Sequence, residues 1–180
     1  MSSRGLAFGE VAENYDRFRL GYPEAVADQV LSYARPPVEM ALEVGAGTGK
    51  ATRLFASRGI EIIACEPDTA MLAVLARNTQ DLPVTPVRSR YEQVTLIERV
   101  DLLYAAAAWH WTDADTRWSH AAELIRPGGT FANFGGGGSV RTLLADRALG
   151  GRRGGQARPD DRGAAHQRGT WCGRPLLARL

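Results

Sequence analysis

Three glycines at every second position, Gly45, Gly47 and Gly49, stand directly after the apolar run 40–44 and directly before a helix-like pattern. Glycine has no side chain, so such a run lets the backbone turn tightly and lets a ligand lie against it. The helix that follows aims its free N–H groups and the positive end of its dipole at that ligand. The chain is therefore expected to build a cradle between a strand and a helix. The spacing disfavours two familiar variants. A dinucleotide fingerprint, Gly-x-Gly-x-x-Gly, needs glycine at the position held by Lys50. A phosphate loop, Gly-x-x-x-x-Gly-Lys-Ser/Thr, needs a glycine and a hydroxyl where Val44 and Ala51 stand.

The segments around this bend alternate between the two periods. Apolar runs at 40–44, 60–65, 82–87, 100–105 and 130–134 read as strands, and the patterns at 69–78 and 113–125 read as helices. Near-continuous apolar strands separated by helices demand right-handed crossovers and a parallel sheet covered on both faces. Ligands in such sheets sit beyond the carboxyl ends of the strands. The second strand ends in Glu66-Pro67-Asp68, with Glu66 lying 21 positions after Gly45. At about that distance, some 20 residues on, the acid of a nucleotide-binding strand–helix–strand unit reaches the ribose hydroxyls. A carboxylate suits the task because it accepts two hydrogen bonds at once. Asp68 is placed to cap the helix 69–78, and Met71 on its first turn can touch a bound cofactor or pack in the core.

Other strand ends carry further candidates. Tyr91 and Glu92 follow the third strand and are placed to meet the base of a nucleotide-like ligand. Ala106-Ala107-Ala108-Trp109-His110-Trp111 follows the fourth, where small residues admit a ligand and two indole faces attract a cation. Trp109 and Trp111 are expected in the substrate pocket, and His110 can act as a base near neutral pH. Asp101, at the opposite end of that strand, reads as structural. At the N-terminus, Phe8, Val11, Ala12, Tyr15 and Phe18 recur at helical spacing and form an aromatic face, either packed on the domain or acting as a lid. Tyr15 and Tyr22 are the candidate ligand contacts there.

Charge is distributed unevenly. Residues 139–180 hold nine Arg and three acids, net +6, which leaves 13 basic and 17 acidic side chains, net −4, in the first 138. The chain has one lysine against 21 arginines, and two cysteines, Cys65 and Cys172, with no disulfide framework or metal-ligand spacing. Cys65 reads as a small buried hydrophobe, and no metal is expected. No apolar segment approaches membrane-spanning length, so a cytoplasmic protein without membrane contact is expected.

The combination resembles one family. Glu43-x-Gly45-Ala46-Gly47-x-Gly49 resembles motif I of the class I S-adenosylmethionine-dependent methyltransferases. Phe8 to Asp16 and Gly21-Tyr22-Pro23 look like the N-terminal segment of its type 11/12 small-molecule group. Glu66-Pro67-Asp68 looks like its ribose-binding loop, and Ser89-Arg90-Tyr91-Glu92, Trp109-His110-Trp111 and Leu124 to Gly129 match later landmarks. The resemblance implies a Rossmann-like, doubly wound, mostly parallel sheet and S-adenosyl-L-methionine as cofactor. It assigns Gly45, Ala46, Gly47 and Gly49 to the methionine part, Glu66 to the ribose and Tyr91 or Glu92 to the adenine, with Glu43, Pro67 and Met71 as further cofactor-binding residues. Methyl transfer to a small-molecule acceptor is the expected reaction, with His110 as the base if the acceptor carries a proton.

Three parts follow: an N-terminal helical lid segment at 1–38, the cofactor-binding core at 39–138, and an Arg/Gly-rich tail at 139–180. The tail departs from the family pattern, which adds antiparallel edge strands there. Its composition buries little core, and those strands are expected to be missing through truncation or a shift of reading frame. A basic nucleic-acid-binding tail is the less expected reading. Rival functions are a cofactor-binding remnant without activity and an NAD-binding oxidoreductase. The acceptor and the oligomeric state are not legible.

Overall fold

A computed structural model describes residues 3–34, 37–135 and 176–179, with side chains at 11–34 and 37–135. Five strands run parallel: β1 (Met40–Val44), β2 (Glu61–Cys65), β3 (Val84–Val87), β4 (Val100–Ala106) and β5 (Ile125–Phe134). Their order in the sheet is β3-β2-β1-β4-β5. The chain thus proceeds outward from β1 in one direction, then returns to its other side for β4. Loops after β1 and β4 diverge at that reversal and open a crevice at the carboxyl end of the sheet.

Alternation along the strands decides which side chains meet which layer. Ala41 of β1, Leu102 and Tyr104 of β4 and Phe134 of β5 point to one face, where α2 (Glu24–Tyr33), α3 (Lys50–Ala56) and α4 (Thr69–Asn78) cover them. Leu42, Val44, Leu103, Ala105 and Phe131 point to the other, beneath α5 (Arg117–Leu124) and the short helical turns Tyr91–Gln93 and Trp109–Trp111. Phe55 is the pivot of the first face, with its ring 4.5 Å from Tyr104 and 6.0 Å from Phe134.

Local signals set the element ends. Asp68 caps α4 as its position suggests, accepting from the N–H groups of Ala70 and Met71 at 2.8 and 2.9 Å. Asp101 is structural: one carboxylate oxygen accepts from the N–H groups of Glu39 and Met40, and the other pairs with Arg126 at 2.7 Å. Residues 126–129 form an irregularity within β5, where pairing with β4 jumps from Ile125 opposite Val100 to Thr130 opposite Leu102.

Two expectations change. The sheet edge beyond β5 is not bare: β6 (Leu176–Arg179) pairs with it antiparallel, Phe131 opposite Ala178. Four residues inside an Arg/Gly-rich stretch show too little alternation to be read as a strand. The rest of the expected tail, including Cys172, lies outside the described residues. The described part of the aromatic face of α1 (Ser3–Phe18) is also not turned inward. Among its described side chains Ala12 is buried, whereas Val11 and Phe18 are 53% and 73% exposed. The helix is held instead by polar contacts, Glu13 with Arg77 of α4 at 2.9 Å and Asp16 with Lys50 of α3 at 3.4 Å. No described helix is long and apolar enough to cross a membrane.

Candidate functional site

The bend after β1 follows the conformation that its glycines permit. Gly45, Gly47 and Gly49 all have positive φ, at 65°, 58° and 87°. At Gly45 the absence of a side chain is also a packing requirement, since a Cβ there would lie 2.5 Å from the Cβ of Ala108, in the loop after β4. The two diverging loops therefore touch across the crevice. At Gly47 the reverse holds: a Cβ would meet nothing within 4 Å, so this part of the backbone faces open space.

Glu66 reaches the same bend from the end of β2. Its Oε2 accepts from the Gly47 N–H at 2.9 Å and its Oε1 from the Asp68 N–H at 2.9 Å. Burial raises its pKa against the lowering effect of these two donors. Ala46 adds a further tie, its N–H donating to the Cys65 carbonyl at 3.0 Å. The glycine bend and the acid, 19 residues apart, form one unit.

Glu43 lies beneath the bend and is 1% exposed. Its Oε2 accepts from Thr52 Oγ1 at 2.6 Å and Tyr104 Oη at 2.9 Å. Burial pushes its pKa up to about 8, opposed by these hydroxyls and assisted by the charge of Glu66. Above the bend, Tyr15, Arg19 and Tyr22 roof a space of about 30 Å³ floored by Glu43, Gly47 and Lys50. At roughly 10–15 Å³ per ordered water, that is room for about two or three waters with α1 in place.

The other sequence candidates divide. Met71 is partly buried on the first turn of α4. Tyr91 and Trp109 are not turned to the crevice but packed beneath α5. Tyr91 is 4% and Trp109 5% exposed, their rings are 5.3 Å apart, and Tyr91 Oη donates to the Arg117 carbonyl at 2.8 Å. Each sits on a short helical turn, with its ring packed in the buried cluster under α5. Glu92 holds the loop after β4, accepting from the Asp113 N–H at 2.9 Å. His110 and Trp111 are exposed, their rings 4.6 Å apart at the carboxyl end of the sheet. Cys65 is a buried thiol whose pKa burial pushes up to about 12.

Sequence reasoning missed Arg19 and the Lys50–Asp16 pair. Arg19 stacks on Tyr15, 5.4 Å from the ring centroid, and lines the same space. Its signal was present, a cation set between two tyrosines already suspected. A larger groove, about 640 Å³, lies along β2 and β3 on the α5 side, lined by Met40, Ile63, Val87, Val94 and Ile97. It is apart from the glycine bend.

The residues fit a nucleoside bearing a cationic amino-acid arm. Gly47 offers an open backbone, Glu66 has lone pairs beyond its two backbone donors, and Glu43 supplies a buried carboxyl. Comparison with known proteins agrees with this geometry. The sequence profile of the methyltransferase domain family matches residues 42–133. An uncharacterized methyltransferase of Mycobacterium tuberculosis is 36% identical over 126 residues, covering 69% of this chain and 49% of that protein. A probable S-adenosylmethionine-dependent methyltransferase of Saccharomyces cerevisiae is 26% identical over 125 residues, covering 66% and 43%. The structure of the CcbJ methyltransferase from Streptomyces caelestis superimposes with a TM-score of 0.57 at 26% identity, over 68% of this chain and 54% of that one. The chain spans about half the length of the curated relatives it matches.

Proposed function

Since the chain belongs to the methyltransferase domain family, we propose that it binds S-adenosylmethionine across its glycine bend and directs methyl transfer to a small-molecule acceptor. The observation that carries this reading is the Glu66 carboxylate seated on the Gly47 N–H at 2.9 Å. That contact fixes an acid beside an open stretch of backbone, as a ribose needs. Gly45, Ala46 and Gly47 then lie along the methionine arm, with Gly49 opening α3, and Pro67 and Met71 flank the nucleoside. The yeast relative, whose name states S-adenosylmethionine dependence, supports the cofactor. When bound, that cofactor supplies a methyl group already activated on a cationic sulfur.

The protein's own task is alignment and exclusion of water. Tyr15, Arg19 and Tyr22 are placed to close over the methionine arm as a lid. With only about 30 Å³ beneath them, α1 must lift for the cofactor to enter. Among its described side chains only Ala12 is buried, and a segment with little buried apolar area opens at low cost. His110 and Trp111 face the acceptor side, and His110 is the group placed to take a proton from the acceptor.

Titration of the purified chain with S-adenosylmethionine tests the reading. Glu66→Ala removes charge-assisted hydrogen bonds to the ribose, each worth roughly 1.5–3 kcal/mol, so affinity should fall by ~10-fold or more. Unchanged affinity would overturn the ribose assignment. His110→Ala should lower turnover by ~10²-fold, in the range of a lost general base, with cofactor affinity kept. Equal losses in both would make His110 a packing residue, and binding without turnover in the unmutated chain would favour the inactive alternative.

A further inference from the structure

Glu43 has a role in this site that its place in a motif does not explain. Two hydroxyls, from Thr52 on α3 and Tyr104 on β4, both donate to its Oε2. Oε1 has no hydrogen-bond partner among the described residues, and Glu43 lines the space under α1. The charged and titratable groups around that space do not neutralise an ionised Glu43. Lys50, the nearest cation in sequence, is turned to Asp16 of α1. Arg19 stacks on Tyr15. Burial raises the Tyr22 and Tyr104 hydroxyl pKa values and keeps those groups neutral, and the carboxyl of Glu66, across the bend, disfavours a second negative charge on Glu43. With Glu43 1% exposed and both cations of the lining turned to other partners, burial favours the protonated acid.

We propose that seating the cationic methionine arm of the cofactor expels the Glu43 proton, so that cofactor binding is linked to pH through this one carboxyl. The step balances simply: the Glu43 O–H bond breaks, the proton goes to solvent, and the carboxylate left behind faces the bound cation. This rests on the S-adenosylmethionine reading of the site. The sign follows from linkage. Below the Glu43 pKa of about 8, binding must release a proton, so affinity rises with pH. Between about pH 6 and 7 the rise should approach ~10-fold per pH unit, the limit for one proton released.

Calorimetric titration of the full chain with S-adenosylmethionine, in two buffers of different ionisation heat at neutral pH, reads the proton directly. Release of close to one proton per cofactor is expected, falling toward zero in Glu43→Gln, read at saturating cofactor because this variant also binds more weakly. Infrared spectra of the free chain supply a readout that needs no ligand. They should show a protonated carboxyl at neutral pH that Glu43→Gln removes, and Tyr104→Phe, which takes away one donor to the carboxylate, should keep it protonated to higher pH. Binding with no buffer dependence overturns the proposal alone, as does equal release in Glu43→Gln or absence of the carboxyl band. A chain that binds no cofactor overturns both this and the functional reading.

Discussion

Gly45→Ala should lower the unfolding free energy by about 2–5 kcal/mol, since it combines a left-handed backbone cost of ~1–2 kcal/mol with overpacking of ~1–3 kcal/mol. The two costs are separable. The overpacking arises because the new Cβ would lie 2.5 Å from the Cβ of Ala108, and the backbone cost because φ at Gly45 is 65°. Removing the opposing methyl in the Gly45→Ala/Ala108→Gly double variant should restore the steric share and leave the backbone share, a non-additivity expected of residues in contact. Denaturant unfolding of the two single variants and the double variant measures both. A single variant with the parent's midpoint would show that the loops after β1 and β4 do not meet as described. Cofactor affinity should fall with stability in the single variant, because the same contact sets the spacing of the crevice.

Phe55→Ala is expected to cost about 3–5 kcal/mol, the range for deleting a large buried aromatic ring. Phe55 is fully buried and lies against both Tyr104 and Phe134. Against a typical domain stability of about 5–15 kcal/mol, this is enough to leave a sizeable unfolded fraction at 37 °C. The variant also tests how the core supports the site. Tyr104 donates to Glu43, so a loosened Tyr104 should raise the pH at which Glu43 ionises. Thermal unfolding gives the first effect. A loss below ~1 kcal/mol would mean that α3 packs less tightly than its burial suggests.

The sheet and the glycine–acid unit were legible because each rests on a covalent regularity. A period of two gives the strand, a positive φ asks for glycine, and the length of one strand–helix–strand unit fixes the place of Glu66. What was not legible depended on direction. Tyr91 and Trp109 follow strand ends as expected, yet sequence does not say whether a ring on a short turn points to the crevice or back under α5. For α1, helical spacing was right, but the face it buries is set by Lys50 and Arg77, partners on other elements. Thr52 and Tyr104 as partners of Glu43 are likewise a product of register: they share the α3 face of the sheet with it, and Tyr104 stands directly opposite Glu43 in the β1–β4 pairing.

Lys50 is the only lysine in the sequence, and its ammonium is spent on Asp16. The chain's one ε-amine is thus also its fastening between α1 and the glycine bend. Acylating agents therefore have a single internal target, and its exposure is governed by the same undocking that admits a ligand. Chemical labelling and site opening become one coordinate, readable without any engineered probe.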